Sequence, residues 1–177
     1  MGYLDYQNIN QECTAKATTM TDTLCESWED IAEKHVLRIW DRTAHVHFHD
    51  PVGEIRRTID NMIDQFFDGN KEINSEVYWL NLGALALICN GEFDPYEVSE
   101  VLANKQRDYG PNNIARFGEK GLIIRLHDKV ARLENLLESQ ASARNESIVD
   151  TYLDIIGYSV IGLMWMNDEF LTPLRSK

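Results

Sequence analysis

Apolar residues recur along most of the chain at three- and four-residue steps, and strict two-residue alternation is rare, a pattern that predicts helices. Leu24, Trp28, Ile31, His35 and Ile39 mark a first helix from near Thr21 or Thr23 to about Asp41. Asp50-Pro51 is a start signal, a capping residue followed by proline in the first turn. It opens a helix over 51–67 that turns Val52, Ile55, Ile59, Met62, Ile63 and Phe66 inward and ends at Asp68-Gly69-Asn70. A third helix over 73–90 carries Val77, Leu80, Ala84 and Leu87, with Gly83 and Ala84 small enough for another helix to approach closely. Asp94-Pro95 starts a short fourth helix that runs to about Lys105. Residues 1–20 are polar and aperiodic and read as a loose arm, leaving 21–177 as one helical domain.

Arg107 through Asn113 read as a turn, because Gly110-Pro111 disfavours helix on both sides. After Phe117-Gly118-Glu119-Lys120-Gly121 come a long helix over 122–138, a polar linker Ser139–Asn145 and a last helix over 146–166. The expected architecture is therefore an all-α bundle of about five or six helices.

Composition narrows what such a bundle can do. Of 177 residues, 44% are hydrophobic, enough for a core, and 26% are charged. The formal net charge of −12 repels phosphate backbones, so no broad nucleic-acid surface is expected. A small nucleotide is still compatible if basic residues are concentrated locally. Cys13, Cys25 and Cys89 show no paired spacing, which suits a reducing compartment. No signal peptide is visible, and the runs Leu80–Leu87 and Ile155–Met166 read as too short or interrupted to span a bilayer, so a cytoplasmic protein is expected.

Two helices could hold chemistry. On 122–138, Asp128, Lys129 and Arg132 fall within about 60° of Arg125 at 100° per residue, beside the apolar stripe of Leu126, Val130, Leu133 and Leu137. On 146–166, Glu146, Asp150 and Asp154 follow at four-residue steps on a helix otherwise apolar nearly all round. Such a helix is buried, and a carboxylate there needs a cation or a metal. Two arrangements satisfy it: a structural salt-bridge ladder to Arg125, Lys129 and Arg132, or a site in which carboxylates hold Mg²⁺ (or Mn²⁺) and the basic residues neutralise phosphate. In the second, Asp128, Glu146, Asp150 and Asp154 are the candidate metal ligands.

The motifs Asp108-Tyr109-Gly110, Phe117-Gly118, Gly121-Leu122, Arg125-x-x-Asp128-Lys129-x-x-Arg132-Leu133 and Asp150-x-x-x-Asp154 resemble the nucleotide modification associated domain 1 family over about residues 105–166. That family is all-helical, frequent in phages and similar to the MazG-like nucleoside triphosphate pyrophosphohydrolases. The resemblance implies a MazG-like bundle, commonly paired into a homo-oligomer. It implies Mg²⁺-dependent hydrolysis of a (deoxy)nucleoside triphosphate to the monophosphate and pyrophosphate, in nucleotide-pool control or DNA base modification. Asp128, Asp150 and Asp154 would be the catalytic acids, and Arg125, Lys129 and Arg132 the phosphate contacts. The chain departs from the wider pattern in two respects. The acids of the last helix are spaced by four residues, and the earlier helix lacks Glu-x-x-Glu, having Asp128 alone. Those departures leave a second reading open: a nucleotide-binding or interaction module with a degenerate site.

The loop Asp108–Gly121 is the expected substrate lip. Asn112, Asn113 and Arg116 could read a base or bind phosphate, and Tyr109 and Phe117 could stack on a base or anchor the turn. Glu97-x-x-Glu100 is a minor acidic candidate. His45, His47 and His49 alternate in an extended connector and are expected to face solvent. Met164-Trp165-Met166, at the end of the apolar last helix, would suit a partner surface.

Overall fold

The computed structural model describes residues 26–68, 75–91, 94–139 and 147–176. Among them are seven α-helices and no strand: α1 (Trp28–Thr43), α2 (Pro51–Asp68), α3 (Ser75–Asn90), α4 (Pro95–Tyr109), α5 (Asn112–Ala115), α6 (Gly118–Ser139) and α7 (Ile148–Met166). The all-α expectation holds. The expected arm at 1–20, the start at Thr21 or Thr23, Leu24, Cys13, Cys25 and Glu146 lie outside the described residues.

Local chemistry sets most boundaries. Ser27 caps α1 and Ser147 caps α7, each in a reciprocal capping box with the acid three residues on, Asp30 and Asp150. The last helix therefore starts at Ile148. Asp94 caps α4 and Pro95 follows it, as the pattern predicts. The helix runs on past Lys105 to Tyr109, through residues expected to turn, and stops where Gly110 adopts φ 65° and ψ 176°. Only glycine occupies that region without strain, so the break is placed by Gly110 itself. Asn112–Ala115 then form one further turn. Helix α6 begins at Gly118 (φ 58°), four residues before the expected start. Gly121 sits inside it, where an added Cβ would lie 2.7 Å from the Phe117 Cβ.

The core gathers residues from α1 to the segment after α7 in one cluster. Helix α7 is its axis: Ile155, Ile156, Val160, Leu163 and Met164 are fully buried. It packs most extensively against α3, where Gly162 lies under Trp79. By length and composition Ile148–Met166 is apolar enough to cross a membrane, a correction to the reading of an interrupted run. Burial of 56% of that window within the fold accounts for its composition. Of the expected partner surface, Met164 is buried, Trp165 packs against Phe170, and Met166 is exposed.

On α3 the expected stripe is off-centre. Val77 is exposed, while Trp79, Leu82, Leu85 and Ala86 are buried, because α3 is covered by α1, α2 and α7 at once. Leu137, near the end of α6, is likewise exposed. The segment after α7 folds back over the start of α1. Its Pro173 carbonyl accepts from the Trp28 backbone N–H at 3.0 Å, Glu169 meets buried His35 at 2.6 Å, and Arg175 pairs with Asp30.

Candidate functional site

A cleft of about 570 Å³ opens where α1, α4, α5, α6 and α7 meet. Its size falls within the range of small-ligand sites. Helix periodicity selects the lining: Leu102, Lys105, Gln106 and Tyr109 come from one face of α4, and Asp154, Gly157, Tyr158 and Ile161 from one face of α7. Arg125 and Lys129 enter one turn apart from α6, Asn113 and Ile114 from α5, and Trp28 from the first residue of α1. An added Cβ at Gly157 would lie 2.7 Å from Leu102 Cδ2, so α7 and α4 approach closely there.

Asp154 is at the electrostatic centre. Lys105 Nζ donates to its Oδ1 at 2.7 Å and Lys129 Nζ meets its Oδ2 at 2.6 Å. The Asp154 side chain is 14% exposed. Burial alone would push its carboxyl pKa up, but the two ammonium groups outweigh that and hold it below the ordinary carboxylate value. Arg125 reaches the Asn113 backbone carbonyl at 3.4 Å and ties the α5 turn to α6. Three cations against one carboxylate leave the lining at a formal +2, in a chain of net −12.

Of the residues expected at the site, Tyr109, Asn113, Arg125, Lys129 and Asp154 do converge on this cleft. The others do not line it. Asp150 is exposed and caps α7, its carboxylate accepting from the Ser147 backbone N–H at 2.9 Å and hydroxyl at 2.8 Å. Those bonds lower its pKa. Asp128 is exposed on α6. Arg132 donates to the Thr151 hydroxyl. Asn112 is exposed, and the Arg116 guanidinium lies 5.8 Å from the Phe117 ring centroid. Glu97, Glu100, His45, His47 and His49 are exposed elsewhere.

Of the expected metal ligands only Asp154 reaches the cleft; Asp128 and Asp150 do not line it, and Glu146 lies outside the described residues. Among the described residues no three histidine, cysteine, aspartate or glutamate side chains gather as a metal-ligand group. Asp154 is the one carboxylate among the residues lining the cleft, and both its oxygens face ammonium groups. What the arrangement can do is hold an anion beside aromatic rings.

Sequence reasoning missed Lys105, Trp28 and Tyr158. Lys105 had a signal, since it stands four residues before Tyr109 on one helix face. Trp28 had none, lying far along the chain in a stripe that reads as core.

Residues 105–166 match the model of the nucleotide modification associated domain 1 family. The matched segment begins at Lys105 and ends with α7, and so contains all the charged residues of the cleft. Trp28 and Leu102, on the cleft wall, come from outside it. No curated protein and no solved structure matches the chain.

Proposed function

We propose that the cleft binds a nucleotide, with its phosphates on Lys105, Arg125 and Lys129 and its nucleoside against the aromatic wall. The observation that carries this reading is the local charge of +2 in an acidic chain, set beside Tyr109, Tyr158 and Trp28. A unit cation about 4 Å from a phosphate oxygen attracts it by roughly 4 kcal/mol near a protein surface, before desolvation. Two of the three cations also pair with Asp154, so the net attraction is that of the local +2. The family's name supports a role in nucleotide metabolism. On this reading Asp154 braces the two lysines in place of coordinating a metal, which is the binding-module alternative.

Hydrolysis of a (deoxy)nucleoside triphosphate to monophosphate and pyrophosphate is the activity the MazG-like resemblance implies. One experiment separates the two. Calorimetry of the full chain with tripolyphosphate and with each dNTP, in EDTA and again with Mg²⁺, is paired with an assay for released pyrophosphate. Binding in EDTA, weakened about tenfold or more by Lys129→Met and without pyrophosphate release, supports the binding site. Binding that needs Mg²⁺, with pyrophosphate released, would make the protein an enzyme and Asp154 a metal ligand. No binding of either ligand would sink the nucleotide reading.

A further inference from the structure

Four buried side-chain polar atoms among the described residues have no hydrogen-bond partner, and two belong to cleft residues: the Trp28 indole Nε1 and the Asn113 Oδ1. Buried indole N–H groups and amide oxygens are ordinarily paired, because desolvation without a partner is costly. Trp28 is fully buried, and Asn113 is half-buried with its amide oxygen enclosed. Their chemistry is opposite. Indole N–H can only donate, and the amide oxygen can only accept. An ionised phosphate has no proton to give, so it cannot satisfy Asn113 Oδ1. Hydrocarbon satisfies neither.

We infer that the Trp28 and Asn113 side of the cleft is a nucleoside-reading subsite, taking a neutral group that offers an acceptor to the Trp28 indole and a donor to the Asn113 amide oxygen. Two parts of a nucleotide have that chemistry, the base edge and a sugar hydroxyl. The inference rests on the phosphate reading above for the placement of the rest of the ligand. It divides the cleft by charge. Lys105, Arg125 and Lys129 supply affinity that any polyphosphate shares, and Trp28 with Asn113 supplies the preference for a nucleotide over bare polyphosphate. It also joins the matched segment to α1, since Trp28 lies outside residues 105–166. The segment after α7 also holds Trp28, through the bond from its backbone N–H to the Pro173 carbonyl.

The test uses the full chain with Trp28→Phe, which keeps a ring and removes the N–H, and Asn113→Leu, which removes the amide at similar volume. Affinities are measured for tripolyphosphate, the four dNTPs, their 2′,3′-dideoxy forms and the four deoxynucleosides. The expected result is that each variant weakens dNTP binding about tenfold and tripolyphosphate binding less than about twofold. Dideoxy forms that bind the unaltered protein as well as dNTPs, and lose the same factor in the variants, identify the base edge. Dideoxy forms that bind the unaltered protein about tenfold less well identify the sugar hydroxyl. Equal losses for tripolyphosphate and dNTPs, or no loss for either, would overturn the inference. If Trp28→Phe does not fold, as judged by circular dichroism, Asn113→Leu on the half-buried α5 turn decides alone. Failure of tripolyphosphate to bind the unaltered protein sinks the phosphate reading. In that event, deoxynucleoside binding lost in Asn113→Leu still supports the subsite, and its absence or indifference to the substitution overturns it.

Discussion

Helix α7 has two unlike sides. Toward α3 it is dry: Gly162 lies beneath Trp79, and Val160, Leu163 and Met164 are fully buried. Toward α4 and α6 it presents Asp154, Gly157 and Tyr158 to a charged cleft. The difference teaches how one apolar helix serves stability and binding together. Close packing on the α3 side tolerates no added volume. The cleft side keeps space open and holds its charges in order through a single carboxylate. Asp150 and Asp154, one turn apart, show the same division at residue scale. The first is exposed and caps the helix, and the second is largely enclosed and holds two lysines.

The strongest way to break this contrast is to add volume at the seam. A Cβ at Gly162 would lie 2.3 Å from the Trp79 ring, so Gly162→Val is expected to cost about 3 kcal/mol or more. That corresponds to a melting temperature lower by roughly 10 °C for a chain of this size. A melting temperature within a degree or two of the unaltered protein would show that the seam is looser than its geometry.

Asp154→Asn sharpens the other side. Because the folded carboxyl pKa is lowered, its contribution is fully present above the unfolded value near 4 and is lost as pH falls through the folded one. Near neutral pH the substitution should cost about 1 kcal/mol, reduced because Lys105 is half-exposed. Melting curves of both proteins should differ by a constant amount from pH 5 to 7 and converge below pH 4. The same variant should bind tripolyphosphate more tightly in EDTA, since one negative charge leaves the cleft. Weaker binding there would mean that lysine orientation outweighs the lost repulsion.

The smallest effect is expected at Glu119, in the first turn of α6, which accepts from Trp79 Nε1 at 3.1 Å. Burial raises its pKa against the opposing bond from Trp79. A raised carboxyl favours the folded state at low pH and disfavours it once both states ionise. Glu119→Gln should therefore stabilise at pH 7 by a few tenths of a kcal/mol, keeping an oxygen for Trp79, and the gain should vanish below pH 4. Differential scanning calorimetry across that range reads it, and a loss of stability at pH 7 would reverse the assignment.

Much of the fold was legible because helix signals are local. Apolar periodicity, Asp50-Pro51 and Asp94-Pro95 placed α2, α3 and α4 to within a few residues, and the apolar circumference of 146–166 marked α7 as buried. The capping role of Ser147 is equally local, and it accounts for Asp150. Of the site, five expected residues meet in one cleft; Arg125 and Lys129 do so as a four-residue step on one helix face, whereas Asp150, one such step before Asp154, does not.

What the amino-acid order determined by itself was which residues share a helix face, since that follows from 3.6 residues per turn and nothing else. Which faces meet was decided only by tertiary packing. Three cases show it: Lys105 reaching Asp154 from a third helix, Trp28 arriving from α1, and Arg132 turning to Thr151. Interhelical approach depends on side-chain volume summed over every contact, with Gly157 against Leu102 and Gly162 against Trp79 setting two of the distances. No periodicity within a single helix encodes that sum.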